Sequence, residues 1–263
     1  MSGNVLIEAR ADRVLTLTMN RPERKNALSP ELYEQLLSSL ERASCNLEVG
    51  AVILTGAGGG FCSGGDVSRM AGVGQSGSAE ERMDLLRVRT RIVELLHAMP
   101  KPTIAMVQGA AIGAGLSLAT ACDLRYGDAT ARFRTGFVDV GLSGDFGGHY
   151  FLPRIVGAAK TREMYLVSRT IDAVEAVSIG LLNRIYDGDQ LEAEVMSVAR
   201  DLAARPGIAV RYLKRNLDTA FNATLPEVLD AEVVRHVRCT QTDDHREAAA
   251  AFVERRKPVF RGT

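Results

Sequence analysis

Glycine clusters at three places along the 263 residues: TGAGGGFCSGGD at 55–66, QGAAIGAG at 108–115 and VGLSGDFGG at 140–148. Such loops can cradle phosphate, but none of the three ends in the Lys-Ser/Thr of a P-loop, and none spells the dinucleotide fingerprint between a strand and a helix. Nucleophilic chemistry has as little support. No serine sits in a G-x-S-x-G elbow, and no cysteine has a histidine close by in sequence. His97, His149, His236 and His245 stand alone, without the H-x-x-x-H spacing of a metal site. The remaining use needs only backbone. Glycine at the start of a helix leaves N–H groups approachable, and two such donors from separate loops can form an oxyanion hole. That chemistry suits a thioester, whose carbonyl oxygen gains charge in the transition state.

The elements that would position these loops follow from periodicity. Val5, Leu6 and Ile7, then Val14, Leu15, Leu17 and Met19, read as a pair of strands. After the loop NRPERKNALSP, Ser29 is an N-cap with Pro30 at the first helical position, and Leu32, Leu36, Leu37 and Leu40 share one helix face. AVILT (51–55) is a buried strand running into glycines. Leu85, Val88, Ile92, Leu95, Leu96 and Met99 then keep helical spacing as far as Pro100, and TIAMV (103–107) is a second buried strand. GAAIGAGLSLATACD reads as a loop feeding a helix, while DLRYGD (123–128) and ARFR (131–134) read as strands. From Ala159 onward the patterns are almost wholly helical, over 163–167, 173–179, 191–204, 208–219, 225–239 and 243–255. The expected organisation is a mixed α/β core over 1–188 followed by a helical region over 189–263 that packs on a neighbouring subunit.

Composition bounds the rest. With 46% hydrophobic residues the chain can bury a core without disulfides, and 32 basic against 32 acidic residues give no net field for nucleic acid. Cys45, Cys62, Cys122 and Cys239 lack zinc spacing and are too sparse for a disulfide scaffold, which fits a reducing cytoplasm. The N-terminus lacks a long apolar h-region, and the run 110–121 is too short to span a bilayer. A soluble, cytoplasmic protein with no nucleic-acid or membrane partner is expected.

Six segments in order resemble the crotonase (enoyl-CoA hydratase/isomerase) superfamily over nearly the whole chain: NRPERKNAL (20–28), FCSGGDVSRM (61–70), KPTIAMVQGAAIGAG (101–115), ACDLRYGD (121–128), VGLSGDFGGHYFLPRIVG (140–157) and FVERRKPVF (252–260). The resemblance implies an α/β fold, a spiral of strand-strand-helix units with a C-terminal helical region. It implies that the N–H groups of Gly65 and Ala114 form the oxyanion hole for an acyl-CoA thioester. The family commonly has glycine where Ala114 stands, a mild departure because the donor is backbone.

Motif alignment places the two glutamates of the hydratases at Ser117 and Phe137. Neither residue can do general acid/base work at neutral pH. A carboxylate does stand at Asp145, where isomerases of enoyl-, dienoyl- and ring-epoxide acyl-CoAs and an aryl-CoA dehalogenase carry their catalytic aspartate. The expectation is an isomerase in which Asp145 moves a proton between carbons of the acyl chain. The alternatives are hydration with a non-standard acid/base and a non-catalytic acyl-CoA binder. Asp145 could instead cap a helix starting near Phe146, and His149, one turn on, could hydrogen-bond the carboxylate. Dehalogenation is disfavoured by the absence of tryptophan.

The same resemblance lays coenzyme A along Arg24, Ala27 and Leu28, with Lys257 and Phe260 contributed by the tail of the same or a neighbouring subunit. It counts Cys62, Ser63, Asp66, Met70, Ser117 and Phe137 among the residues that bind the substrate or its coenzyme A, with Met70, Met83 and Leu86 in the segment that lines the family's acyl pocket. Asp66 reads as a helix cap, Asp139 as pointing away from the site, and Cys62 as a packing residue with nothing basic beside it. No cofactor is expected apart from the coenzyme A of the substrate, and no metal. Homotrimers or dimers of trimers are the family's common assemblies.

Overall fold

The structure is a computed structural model that describes residues 4–66 and 77–263. Its centre is a six-stranded sheet. β1 (Leu6–Ala11) and β2 (Val14–Met19) form an antiparallel hairpin. β3 (Ala51–Gly56), β4 (Thr103–Val107), β6 (Leu124–Gly127) and β9 (Arg184–Ile185) then add in parallel. A second sheet of three short strands, β5 (Ala110–Ile112), β7 (Arg132–Arg134) and β8 (Ile171–Asp172), stands beside it.

Side chains alternate across a strand, and here both faces are buried. In β3, Val52 and Leu54 face one core while Ala51 and Ile53 face another, and in β4 Ala105 and Val107 divide from Ile104 and Met106 in the same way. The larger core takes the crossover helices α1 (Pro30–Cys45), α2 (Ala79–Ala98) and α3 (Ala114–Ala121). Leu32, Leu36 and Leu40 of α1 and Ile92 and Leu96 of α2 are fully buried, each contributing about 1.5–3 kcal/mol by leaving water. Ser29 caps α1, accepting from the Leu32 N–H at 3.3 Å. Ser78 and Glu81 close a capping box on α2. All eight residues of α3 are buried, as expected of a helix apolar all round.

The other face of the sheet is covered by α7 (Leu191–Ala203), through Leu191, Val195, Ala199 and Ala203. The first helix past residue 188 is thus a layer of the core. The helices that leave the sheet are α8 (Gly207–Ala220), α9 (Leu225–Thr240) and α10 (Asp243–Glu254). Before α7 come α4 (Gly148–Val156), α5 (Ala158–Val167) and α6 (Ala173–Ser178). The stretch read as a loop before α3 holds β5, too short at three residues to show a period. No helix among the described residues is long and apolar enough to cross a membrane.

Candidate active site

The first two glycine segments meet at the C-terminal ends of the parallel strands. Cys62 pairs with Ala111, its N–H donating to the Ala110 carbonyl at 2.8 Å and its carbonyl accepting from the Ile112 N–H at 2.9 Å. On the other side Leu28 pairs with Gly65 and donates to the Gly64 carbonyl at 2.8 Å. Asn26, fully buried in a left-handed conformation at φ 54°, donates from one amide to the carbonyls of Ala57 and Gly60 and so ties the 20–28 loop to the glycine loop.

These contacts leave no room for side chains. A Cβ on Gly64 would stand 2.7 Å from the Ile112 carbonyl oxygen and 3.3 Å from the Ala114 nitrogen, and φ there is +87°, a conformation suited to glycine. A Cβ on Gly115 would collide with the Cys62 carbonyl. Gly65 therefore lies beside the first residue of α3. Among the described residues, neither the Gly65 nor the Ala114 N–H donates to an acceptor, and the positive end of the α3 dipole faces the same place.

The third glycine segment brings Asp145 to this corner. The Ser117 hydroxyl, 1% exposed within α3, reaches the Asp145 carbonyl at 3.3 Å. The Asp145 carboxylate has one oxygen, Oδ1, shut from solvent and without a hydrogen-bond partner. Desolvation raises its pKa from the usual carboxylate value to about 6. The capping alternative fails. α4 starts at Gly148, its cap is Gly147, and no side chain bonds its N-terminal amides. Phe146, next to Asp145, is held at φ 51°, a costly conformation for a bulky residue.

Aromatic rings bracket the carboxylate. Phe146 stacks on Tyr33 at 5.6 Å, and Phe137, Tyr165 and His149 form a column with centroid spacings of 6.3 and 4.1 Å. Burial, and next the Asp145 charge, raise the Tyr165 phenol to about 12 and push Tyr33 up as well, so both stay protonated. The Arg89 guanidinium lies 4.6 Å over the Tyr33 ring. Asp145, Phe146 and His149 line one side of a cleft of about 440 Å³ whose other side is Met83, Leu86 and Thr90 of α2.

The residues expected from sequence are therefore partly assembled. Gly65, Ala114, Ser117, Phe137 and Asp145 converge, and Phe137 packs its ring against the space over Gly113. Ala27 and Leu28 are buried beside the glycine loop, and Arg24 is exposed on the turn before them. The Ser63 N–H donates to the Lys25 carbonyl at 3.0 Å. Cys62 is fully buried, with burial raising its thiol to about 12. Asp66 forms an ion pair with Arg21 at 3.5 Å. Asp139 is held by Arg134 at 2.8 Å and Ser168 at 2.7 Å, away from the cleft.

Met70, and the helix that Asp66 was expected to cap, lie outside the described residues. Lys257 and Phe260 do not join the site within one chain. The tail is pinned to α10, where the Val259 N–H donates to Glu247 and the Arg261 N–H to Asp244, and Arg261 reaches the opposite end of the sheet. His149 stacks on Tyr165 and makes no hydrogen bond to Asp145 among the described residues. Sequence reasoning missed Tyr33, Tyr165 and Arg89, which lie on helices whose periodicity marks them as ordinary positions. It also missed Asn26, for which an asparagine after a lysine in a tight loop was the available signal.

The family model described as enoyl-CoA hydratase/isomerase matches residues 9–263. The chain is 34% identical to the 1,2-epoxyphenylacetyl-CoA isomerase of Escherichia coli, over 95% of each chain. It is 30% identical to the crotonyl-CoA hydratase of Syntrophomonas wolfei, over 98% of this chain and 97% of that one. Among solved structures, an enoyl-CoA hydratase from a Polaromonas species superposes with a TM-score of 0.91 at 32% identity, covering 97% of this chain and 99% of the other. One from Bacillus anthracis superposes with a TM-score of 0.93 at 29% identity, covering 98% and 100%. With the fold, the paired glycine loops and these likenesses agreeing along its length, the chain belongs to the enoyl-CoA hydratase/isomerase family, the crotonase superfamily.

Proposed function

We propose that the protein isomerises an enoyl-CoA or a related acyl-CoA by proton transfer through Asp145. The observation that carries this reading is the buried, unpartnered Oδ1 of Asp145 in a corner where Ser117 and Phe137 supply no second acid or base. With a 3-enoyl thioester, the carboxylate takes a proton from C2. The C–H electron pair moves into the chain and onto the thioester oxygen, giving a dienolate. The Gly65 and Ala114 N–H groups hold that oxygen, and Asp145 returns the proton to C4, leaving the double bond at C2–C3. A desolvated aspartate is a stronger base than one in water, which favours the first step. The scheme uses no metal and no cofactor beyond the coenzyme A of the substrate.

Arg24 and Lys25, both exposed beside buried Ala27 and Leu28, have the charge to meet coenzyme A phosphates. The rings of Tyr33, Phe137, Phe146 and Tyr165 suit a flat acyl group, in keeping with the phenylacetyl substrate in the name of the Escherichia coli relative. The exposed Leu213, Leu217, Phe221, Leu229 and Val233 of the departing helices support assembly as a homotrimer or dimer of trimers. Light scattering of the purified protein reads that directly. Four free cysteines fit work in the cytoplasm.

The test is to offer 3-enoyl- and 2-enoyl-CoA in deuterated water to the wild type and to Asp145→Asn. The expected result is interconversion with deuterium at C2 and C4, lost in the variant; unchanged turnover in the variant would end the assignment. A second reading is hydration by a water held at Asp145, favoured by the hydratase names among relatives. Formation of 3-hydroxyacyl-CoA without isomer decides for it.

A further inference from the structure

The corner around Asp145 holds a polar group that the proton transfer does not use. Tyr165 stands on α5, and its ring is stacked with Phe137 at 6.3 Å and with His149 at 4.1 Å, at interplanar angles of 11° and 17°. That stacking fixes the direction of its hydroxyl, which lies against the first residue of α4. A Cβ on Gly148 would collide with the Tyr165 oxygen and stand 2.9 Å from Ser117 Oγ. Glycine at 148 thus lets a phenol from α5 and a hydroxyl from α3 come together beside the loop that carries Asp145.

The two hydroxyls differ in what they do for the protein. That of Ser117 is directed at the main-chain carbonyls of Gly113 and Asp145, 3.4 and 3.3 Å away. The Tyr165 hydroxyl bonds to nothing among the described residues and, unlike Asp145 Oδ1, is not shut from solvent. Burial first, and then the Asp145 charge, raise the phenol to about 12, so it keeps its proton at neutral pH and can donate, although no hydrogen bond joins it to the carboxylate. A donor set among aromatic rings is costly when a ligand excludes water from it, unless the ligand brings an acceptor.

Its place says which part of a ligand that is. Ser117 is three residues past Ala114 on α3, about 4.5 Å of helix rise. The Tyr165 hydroxyl, beside Ser117, therefore serves the acyl chain and not a thioester oxygen held on the Ala114 N–H. Resting on the reading of this corner as the acyl site of an isomerase, we propose that Tyr165 is a specificity-determining donor and that the acyl group of the preferred substrate carries a hydroxyl or ether oxygen that accepts from it. A plain hydrocarbon chain leaves the donor unpaired, which is how a site built to hydrogen-bond a substrate oxygen rejects the analogue without one.

The experiment is calorimetric titration of the full-length protein with two pairs of coenzyme A thioesters in which a hydroxyl replaces a methyl, none of them an enoyl-CoA. The pairs are 2-hydroxyphenylacetyl-CoA with 2-methylphenylacetyl-CoA, and 4-hydroxybutyryl-CoA with pentanoyl-CoA. The wild type should bind the hydroxyl member of at least one pair about tenfold more tightly, and Tyr165→Phe, which keeps the ring, should bring that ratio to about one. Equal affinities within both pairs in the wild type, or a preference that survives in Tyr165→Phe, overturns the proposal. A merely structural role would weaken both members of a pair alike and leave the ratio where it was, which also overturns it. Should Tyr165→Phe fail to fold, Tyr165→Met decides by the same ratio. Because no probe can be isomerised, the outcome is separate from that at Asp145: a ratio that collapses in Tyr165→Phe without any isomerase activity ends the Asp145 assignment alone, and isomerase activity without a ratio ends the Tyr165 assignment alone. Failure of every thioester to bind overturns both.

Discussion

The Ser117 hydroxyl holds the main-chain carbonyl of Asp145 at 3.3 Å, so a residue of α3 anchors the loop that carries the carboxylate. The same hydroxyl also reaches the Gly113 carbonyl, at 3.4 Å, and both bonds are long. Ser117→Ala should therefore cost only about 0.5–1.5 kcal/mol in urea unfolding. Turnover should fall severalfold through a looser Asp145, with the pH of half-maximal activity unmoved. A loss as deep as that of Asp145→Asn would make Ser117 part of the chemistry.

The desolvated state of Asp145 gives two linked pH dependences. As a base it must be ionised, so kcat/KM should rise with pH through about 6 and level off above it. Stability moves the other way. The folded pKa is raised above the unfolded value, so the stabilising contribution is fully present below the unfolded value of 3.8 and is lost as pH rises through about 6. At pH 8 the ionised group opposes folding by up to roughly 2–3 kcal/mol. Asp145→Asn should then be more stable than the wild type at pH 8, with the gap closing towards pH 4. Urea midpoints measured at both values check it, and a variant less stable at pH 8 would refute the desolvation argument.

The sequence made the scaffold legible where chemistry repeats: the alternation in β3 and β4, the Ser29-Pro30 start of α1 and the glycines that let two loops touch. It left three things hidden for physical reasons. β5 is set by pairing with the 62 segment and β7, a long-range partnership that three residues cannot announce. The Tyr165 ring reaches the site because α5 packs on α4, and nothing in its helical spacing distinguishes it from a core residue. Lys257 and Phe260 were placed by motif, and a motif gives no information on which copy of a chain a tail serves. Asp145 was legible by position, but its isolation from hydrogen-bond donors is a property of packing.

The approach of Gly64 to Ile112 and Ala114 fixes the separation of the two free amides, and it tolerates little. Gly64→Ala places a methyl 2.7 Å from a carbonyl oxygen at φ +87°. Either the loop shifts or the fold gives way. The expected cost is above about 1 kcal/mol from the backbone conformation alone, with a fall in kcat/KM exceeding that of Ser117→Ala. Unfolding midpoints and kinetics on the same preparation separate the two effects. Full activity in a destabilised variant would show that the spacing of these amides is not what the reaction uses.

Cysteine reactivity tests the packing around the same loop. Cys62 and Cys122 are buried with thiols raised to about 12 by desolvation, whereas Cys45 is exposed. The thiolate is the reactive form, and at pH 8 it is scarce at both buried positions. Iodoacetamide on the folded protein should label Cys45 first and leave Cys62 and Cys122 untouched until urea is added, as read by peptide mass spectrometry. The Gly64 N–H points at Cys62 Sγ at 3.4 Å, so any loosening of the glycine loop should appear as Cys62 labelling. Gly64→Ala is expected to label there in native buffer. If Cys62 reacts in the folded wild type as fast as Cys45, the loop opens on its own and cannot hold two amides at a fixed separation.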